Sequence, residues 1–114
     1  MGKKWAIVAN VACIEVEEGN PYYHSAGNCL IETQTKTLVL GCKNSVIPDD
    51  GSVTKIGKCA FNGCQALKRI EIPESVESVG ELAFSACYRL VEVVNRSNCI
   101  TASNVEGEGL YRFP

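Results

Sequence analysis

Ile56-Gly57-Lys58-Cys59-Ala60-Phe61-Asn62-Gly63-Cys64-Gln65-Ala66-Leu67-Lys68-Arg69-Ile70 is echoed by Val79-Gly80-Glu81-Leu82-Ala83-Phe84-Ser85-Ala86-Cys87-Tyr88-Arg89-Leu90-Val91-Glu92-Val93, each position shifted by 23 residues. A fixed period of this size marks a solenoid, whose units bury their apolar faces only by stacking on one another. Ala60, Phe61, Cys64 and Leu67 follow helical spacing, so each unit is expected to contain a short helical turn. Arg69-Ile70-Glu71-Ile72 alternates polar and apolar residues, the pattern of a half-buried strand.

Working outward, Ile47-Pro48 and Ile72-Pro73 open the two regular units. Proline supplies no ladder amide, so each prolyl residue ends a strand. These starts are 25 residues apart, and Asp50-Gly51 reads as a two-residue insertion. Val11-x-x-Ile14-x-Val16 parallels Leu67-x-x-Ile70-x-Ile72 and suggests an earlier unit. Between them, Cys29 to Thr33 and Lys36 to Leu40 are rich in β-formers and flank Gln34-Thr35, which predicts a β-hairpin. Gly19-Asn20-Pro21 is a turn signal. Residues 1–9 read as a lead outside the repeat. After Val94 the register is expected to break, leaving 95–114, with Tyr111 and Phe113, as either a degenerate cap or a truncated further unit.

The totals narrow the function. The chain has 114 residues, a net charge of −2 and only two adjacent basic pairs, Lys3-Lys4 and Lys68-Arg69. A nucleic-acid binder needs a clustered basic face, so none is expected. The longest apolar stretch, Trp5 to Ala9, is far below the roughly 20 residues of a membrane span. Lys3-Lys4 followed by Trp5 to Cys13 faintly outlines a secretion signal, with a lipoprotein-like Ala12-Cys13. Asn10 interrupts it, and its apolar part is at the short end for such a segment. Seven cysteines, an odd number, leave at least one unpaired within the chain. Cys64 and Cys87 occupy one repeat position and are expected to be reduced, packing as small hydrophobes.

The pattern Ile-Gly-x-x-Ala-Phe-x-x-Cys-x-x-Leu-x-x-Ile-x-Ile-Pro over residues 56–73, partly repeated over 79–93, resembles the BspA-like, or treponemal-type, leucine-rich repeats. Gly19-Asn20-Pro21-x-Tyr23 with Asn28-Cys29-Leu30-Ile31 resembles that family's hairpin-containing variant unit. The resemblance covers about 11–94. It implies a curved solenoid with a parallel sheet on one face, in surface or secreted proteins of bacteria and some protozoa, some of them adhesins. No catalytic residue belongs to the repeat.

Reactive chemistry has little support in the residues. There is no Cys-x-x-Cys, and Cys59 and Cys64 are five apart with a single histidine in the chain, which disfavours zinc. A cysteine nucleophile at Cys59 or Cys64 would need His24 as its base, and His24 is expected in an exposed turn. Asp49-Asp50 reads as a solvated turn, lacking further oxygen ligands at calcium-loop spacing. Asn95-Arg96-Ser97 fits a glycosylation sequon. Phe61/Phe84, Cys64/Cys87 and Leu67/Leu90 are expected to stack as core ladders.

The expected fold is therefore an α/β repeat: a leucine-rich-repeat solenoid with one short strand and one short helical turn per unit of 23 residues, plus an inserted β-hairpin near the N-terminus. It forms a single domain over 1–114, with a variant unit at 11–46, regular units at 47–71 and 72–94, and the cap or truncated unit at 95–114. The expected function is a noncatalytic protein-binding or adhesion module, at the cell surface or secreted, with no cofactor and no metal. Its partner is a protein, of the host or matrix kind. Lys68, Arg69, Glu71, Arg89 and Glu92, on the exposed strand face, are the candidate binding residues. The alternative is a structural spacer or self-assembling segment that associates through its ends.

Overall fold

A computed structural model describes residues 5–100. Its elements are β1 (Ile7–Ala9), β2 (Ile14–Val16), β3 (Tyr23–Ala26), β4 (Cys29–Glu32), β5 (Thr37–Leu40), β6 (Lys55–Ile56), β7 (Arg69–Ile72), β8 (Ser78–Val79) and β9 (Glu92–Asn95). They form three sheets, ordered β1-β2, β3-β4-β5-β6-β8 and β7-β9.

The N-terminal part is antiparallel. β1 pairs with β2, so part of the lead is built into a sheet. Ile14 is as buried as Ile70, at 2% exposure each, but Val11 is 77% exposed where Leu67 is 1% exposed, so the proposed equivalence of 11–16 with 67–72 fails in burial at its first position. Gly27 and Asn28 join β3 to β4 with φ of 58° at both residues. Positive φ at both centres is the condition for a two-residue turn that matches strand twist, and glycine and asparagine meet it most readily. β4 then pairs antiparallel with β5 across Gln34-Thr35.

From β5 onward the pairing is parallel. Leu38 lies opposite Ile56, and Ile56 opposite Val79, forming a fully buried aliphatic column. The second parallel ladder pairs Arg69 with Glu92, Ile70 with Val93, Glu71 with Val94 and Ile72 with Asn95. The core draws on both ladders and on the Phe61/Phe84 pair, whose rings stack at 5.1 Å with an interplanar angle of 7°.

The expected helical turn is corrected: no helix occurs among the described residues, and each regular unit contributes two short strands rather than one. The hydrogen bonds explain why. The amides of Ala60, Asn62 and Cys64 close tight turns on Gly57, Cys59 and Phe61. The amides of Cys59, Phe61 and Gly63 instead donate to the next unit, at Glu81, Ala83 and Ser85 O, over 2.7–3.0 Å. An α-helix would use every amide within the segment. Here alternate amides cross to the neighbouring unit. Left-handed φ at Cys59 (60°) and Gly63 (79°), and at Leu82 (59°) and Ala86 (60°), one period later, also breaks any helical run. The α/β class is thereby replaced by stacked β-strands and turns.

The expected break after Val94 is also moved. β9 continues to Asn95, and Arg96 N donates to Ile72 O at 2.9 Å. Ser97 Oγ donates to Val76 O much as Ser75 Oγ donates to Val53 O, and Ile100 is buried in the core. Tyr111 and Phe113 lie outside the described residues.

Candidate functional site

Alternation along β7 decides what the ladder presents. Ile70 and Ile72 enter the core, so Arg69 and Glu71 must point away from it. The parallel register brings Glu92 beside Arg69, and their Nε–Oε1 distance is 2.8 Å. Arg69 also reaches Glu71 at 3.9 Å, and Arg96 closes on the other oxygen of Glu71. Four charged side chains from two adjacent units thus form one chain, Glu92–Arg69–Glu71–Arg96. The Arg96 hydrogen bond, and then the Arg96 and Arg69 charges, hold the Glu71 carboxyl below its ordinary 4.5.

All four remain open to solvent, with side-chain exposures of 36–63%. Exposed pairs of this kind contribute little to stability. Lys68 and Arg89 are exposed and have no ion-pair partner among the described residues. The Lys68 carbonyl accepts from Val91 and Glu92, fixing the entry of β9 onto β7. Arg69 and Lys68 further line a shallow hollow with Lys43, Asn44 and Ala66. On the far side, Glu71 and Arg96 border a groove of about 540 Å³ with Val46, Ile47, Pro48, Asp49, Pro73 and Glu74.

Of the five residues singled out from sequence, the ladder joins Arg69, Glu71 and Glu92 in one network. Lys68 flanks it, and Arg89 makes no ion pair with it. Arg96 and Lys43 were missed. Extending the 23-residue offset one step past Val94 would have placed Arg96 after Asn95, beside the end of β7.

The reactive candidates are held apart from this face. His24 lies half-buried on β3, not in an exposed turn, with Nδ1 2.8 Å from Thr33 Oγ1. Cys64 aims its thiol at Gly41 O (3.6 Å) rather than at an imidazole. Burial is the main cause that raises the Cys64 thiol pKa, and it pushes Cys29 and Cys87 up to about 11. That is opposite to what a nucleophile requires. All seven thiols are free. Among the described residues, no three His, Cys, Asp or Glu side chains converge to hold a metal, and no helix is long and apolar enough to cross a membrane.

A sequence model described as a BspA type leucine-rich repeat region (6 copies) matches residues 39–105. No curated protein and no solved structure gives a match.

Proposed function

Because the chain belongs to the BspA-type leucine-rich repeat family, whose repeats serve protein–protein interaction, we propose that it is a noncatalytic binding module. Its partner lies across the outward face of β7 and β9. The observation that carries this reading is the four-membered charge chain built across two units. Each pair is weak while solvated, so an incoming protein can re-pair these groups at little cost. Once covered, the same charges act at lower dielectric and select for complementary partners. Lys43, Lys68 and Arg89, with no ion-pair partner among the described residues, add positive charge, which favours a partner segment rich in carboxylates. The setting consistent with the family is the cell surface or the secreted fraction, and an adhesin's matrix protein is the partner class to screen first.

The test is binding of the purified chain to a panel of immobilised extracellular matrix proteins, followed over a salt series. The expected result is binding to at least one member that weakens with salt and drops at least tenfold on Arg69→Glu combined with Lys68→Glu. Binding that is indifferent to this double reversal would remove β7–β9 as the contact face.

A second reading has its own observation. β8 and β9 each pair on one side only among the described residues. A spacer or self-assembling segment would join its copies through such open edges.

A further inference from the structure

Outside the charged face, the strongest unexplained cluster is the pair Cys64 and Cys87. They occupy one position of the repeat, three residues after the stacked Phe61 and Phe84. The backbone between these units is held by Phe61 N to Ala83 O at 2.7 Å and Gly63 N to Ser85 O at 2.9 Å. Most directly, the Cys64 amide (3.0 Å) and the Cys87 thiol (3.1 Å) donate to the same oxygen, Phe61 O. The Cys87 sulfur therefore sits against the Cys64 backbone. Both cysteines lie on the turns between strands, three residues after rings stacked at 5.1 Å, a unit-to-unit spacing that matches the roughly 4.4–6.8 Å Cα separation that a disulfide spans. Both residues are half-buried, so reagents can reach them. Cys64 also lines a mainly apolar groove with Leu40, Gly41 and Gln65.

We propose that Cys64 and Cys87 form an oxidisable dithiol, closed by a peroxide or a disulfide oxidant into a covalent bridge between the two regular units. With hydrogen peroxide, one thiolate attacks an oxygen, breaking the O–O bond and becoming a sulfenic acid as the other oxygen leaves as water. The second thiol then displaces the sulfenic hydroxyl as water and forms the S–S bond. Two thiols and one peroxide give one disulfide and two waters. Cys64 must rotate its sulfur from Gly41 O towards the Cys87 unit. Burial disfavours both thiolates, so closure is slow at neutral pH and quickens in mild alkali. The bridge locks neighbouring units and leaves the β7–β9 face untouched.

The experiment uses the full chain, treated with hydrogen peroxide or oxidised glutathione, capped with N-ethylmaleimide and digested with trypsin without reduction. The expected product joins peptide 59–68 to peptide 70–89, with fragmentation placing the bond at Cys64 rather than Cys59. The unfolding midpoint of the oxidised chain should rise by several degrees and return with dithiothreitol. Cys64→Ser and Cys87→Ser should each abolish the rise. Capping of both thiols after oxidation, or a bridge from either one to Cys42 or Cys59, overturns the proposal. The peptide map of the wild-type chain decides even if a variant does not fold.

Discussion

Cys59, Leu82 and Ala86 carry side chains at φ values near 60°, where an L-residue other than glycine pays roughly 1–2 kcal/mol. Gly63, the counterpart of Ala86, has φ of 79° and open space around its Cβ position. Ala86→Gly should therefore stabilise the fold by about 0.5–1 kcal/mol, less than the strain relieved because glycine also loosens the unfolded chain. Urea unfolding at a fixed pH measures it, and a destabilised variant would show that Ala86 holds the turn by packing. Gly80 is the contrary case. A Cβ there would meet Lys58 N at 2.5 Å and Gly57 C at 2.8 Å. Backbone cannot move aside without parting the units, so Gly80→Ala should cost at least about 1–3 kcal/mol in the same urea assay. Cys87 adds a pH dependence. Its thiol ionises near 9.0 when unfolded and at about 11 when folded, so its contribution is complete below pH 9 and is lost as pH rises towards 11. In reductant, the stability gap between wild type and Cys87→Ser should be flat to pH 9 and narrow above it. A gap that stays constant to pH 11 would mean the thiol is not desolvated.

At the scale of elements, the units are joined by side-chain columns as much as by ladders. Phe61 and Phe84 are both fully buried and stacked across one unit boundary. Phe84→Ala should cost about 3–5 kcal/mol, checked by chemical denaturation, and a loss below 1 kcal/mol would mean that the column collapses to fill the gap. This column was legible from the period, because identical residues one period apart must face each other. The turn that carries it was not. Ala60, Phe61, Cys64 and Leu67 have the spacing of a helix, yet successive tight turns can point the same residues inward. What separates the two is which amides bond within the unit and which bond to its neighbour. Cys59, Leu82 and Ala86 give no sign of left-handed backbone in their chemistry, whereas Gly27-Asn28 does and could have been read as a turn. The charged face was half legible: alternation on β7 revealed Arg69 and Glu71, but assuming that the repeat stopped at Val94 hid Arg96, which pairs with Glu71.

For the whole molecule, the question is whether copies stack through the open edges of β8 and β9. β8 offers two residues and β9 four, and β9 carries Glu92 with Arg96 just beyond. Short, charged edges are poor templates for another chain. The opposite side of the large sheet ends in β3, antiparallel to β4. Two antiparallel steps set β3 in the same direction as β5, β6 and β8, so strand direction does not bar a second copy, and the expectation rests on the short, charged edges. The chain should remain near its monomer mass of 12.3 kDa by light scattering across a micromolar concentration series with reductant present. A mass that grows with concentration would favour the spacer reading, and charge reversal at Arg69 and Lys68 would then separate assembly through the edges, which it should leave intact, from assembly through the β7–β9 face. A constant mass leaves that face free, so that any partner it captures is met by one copy at a time.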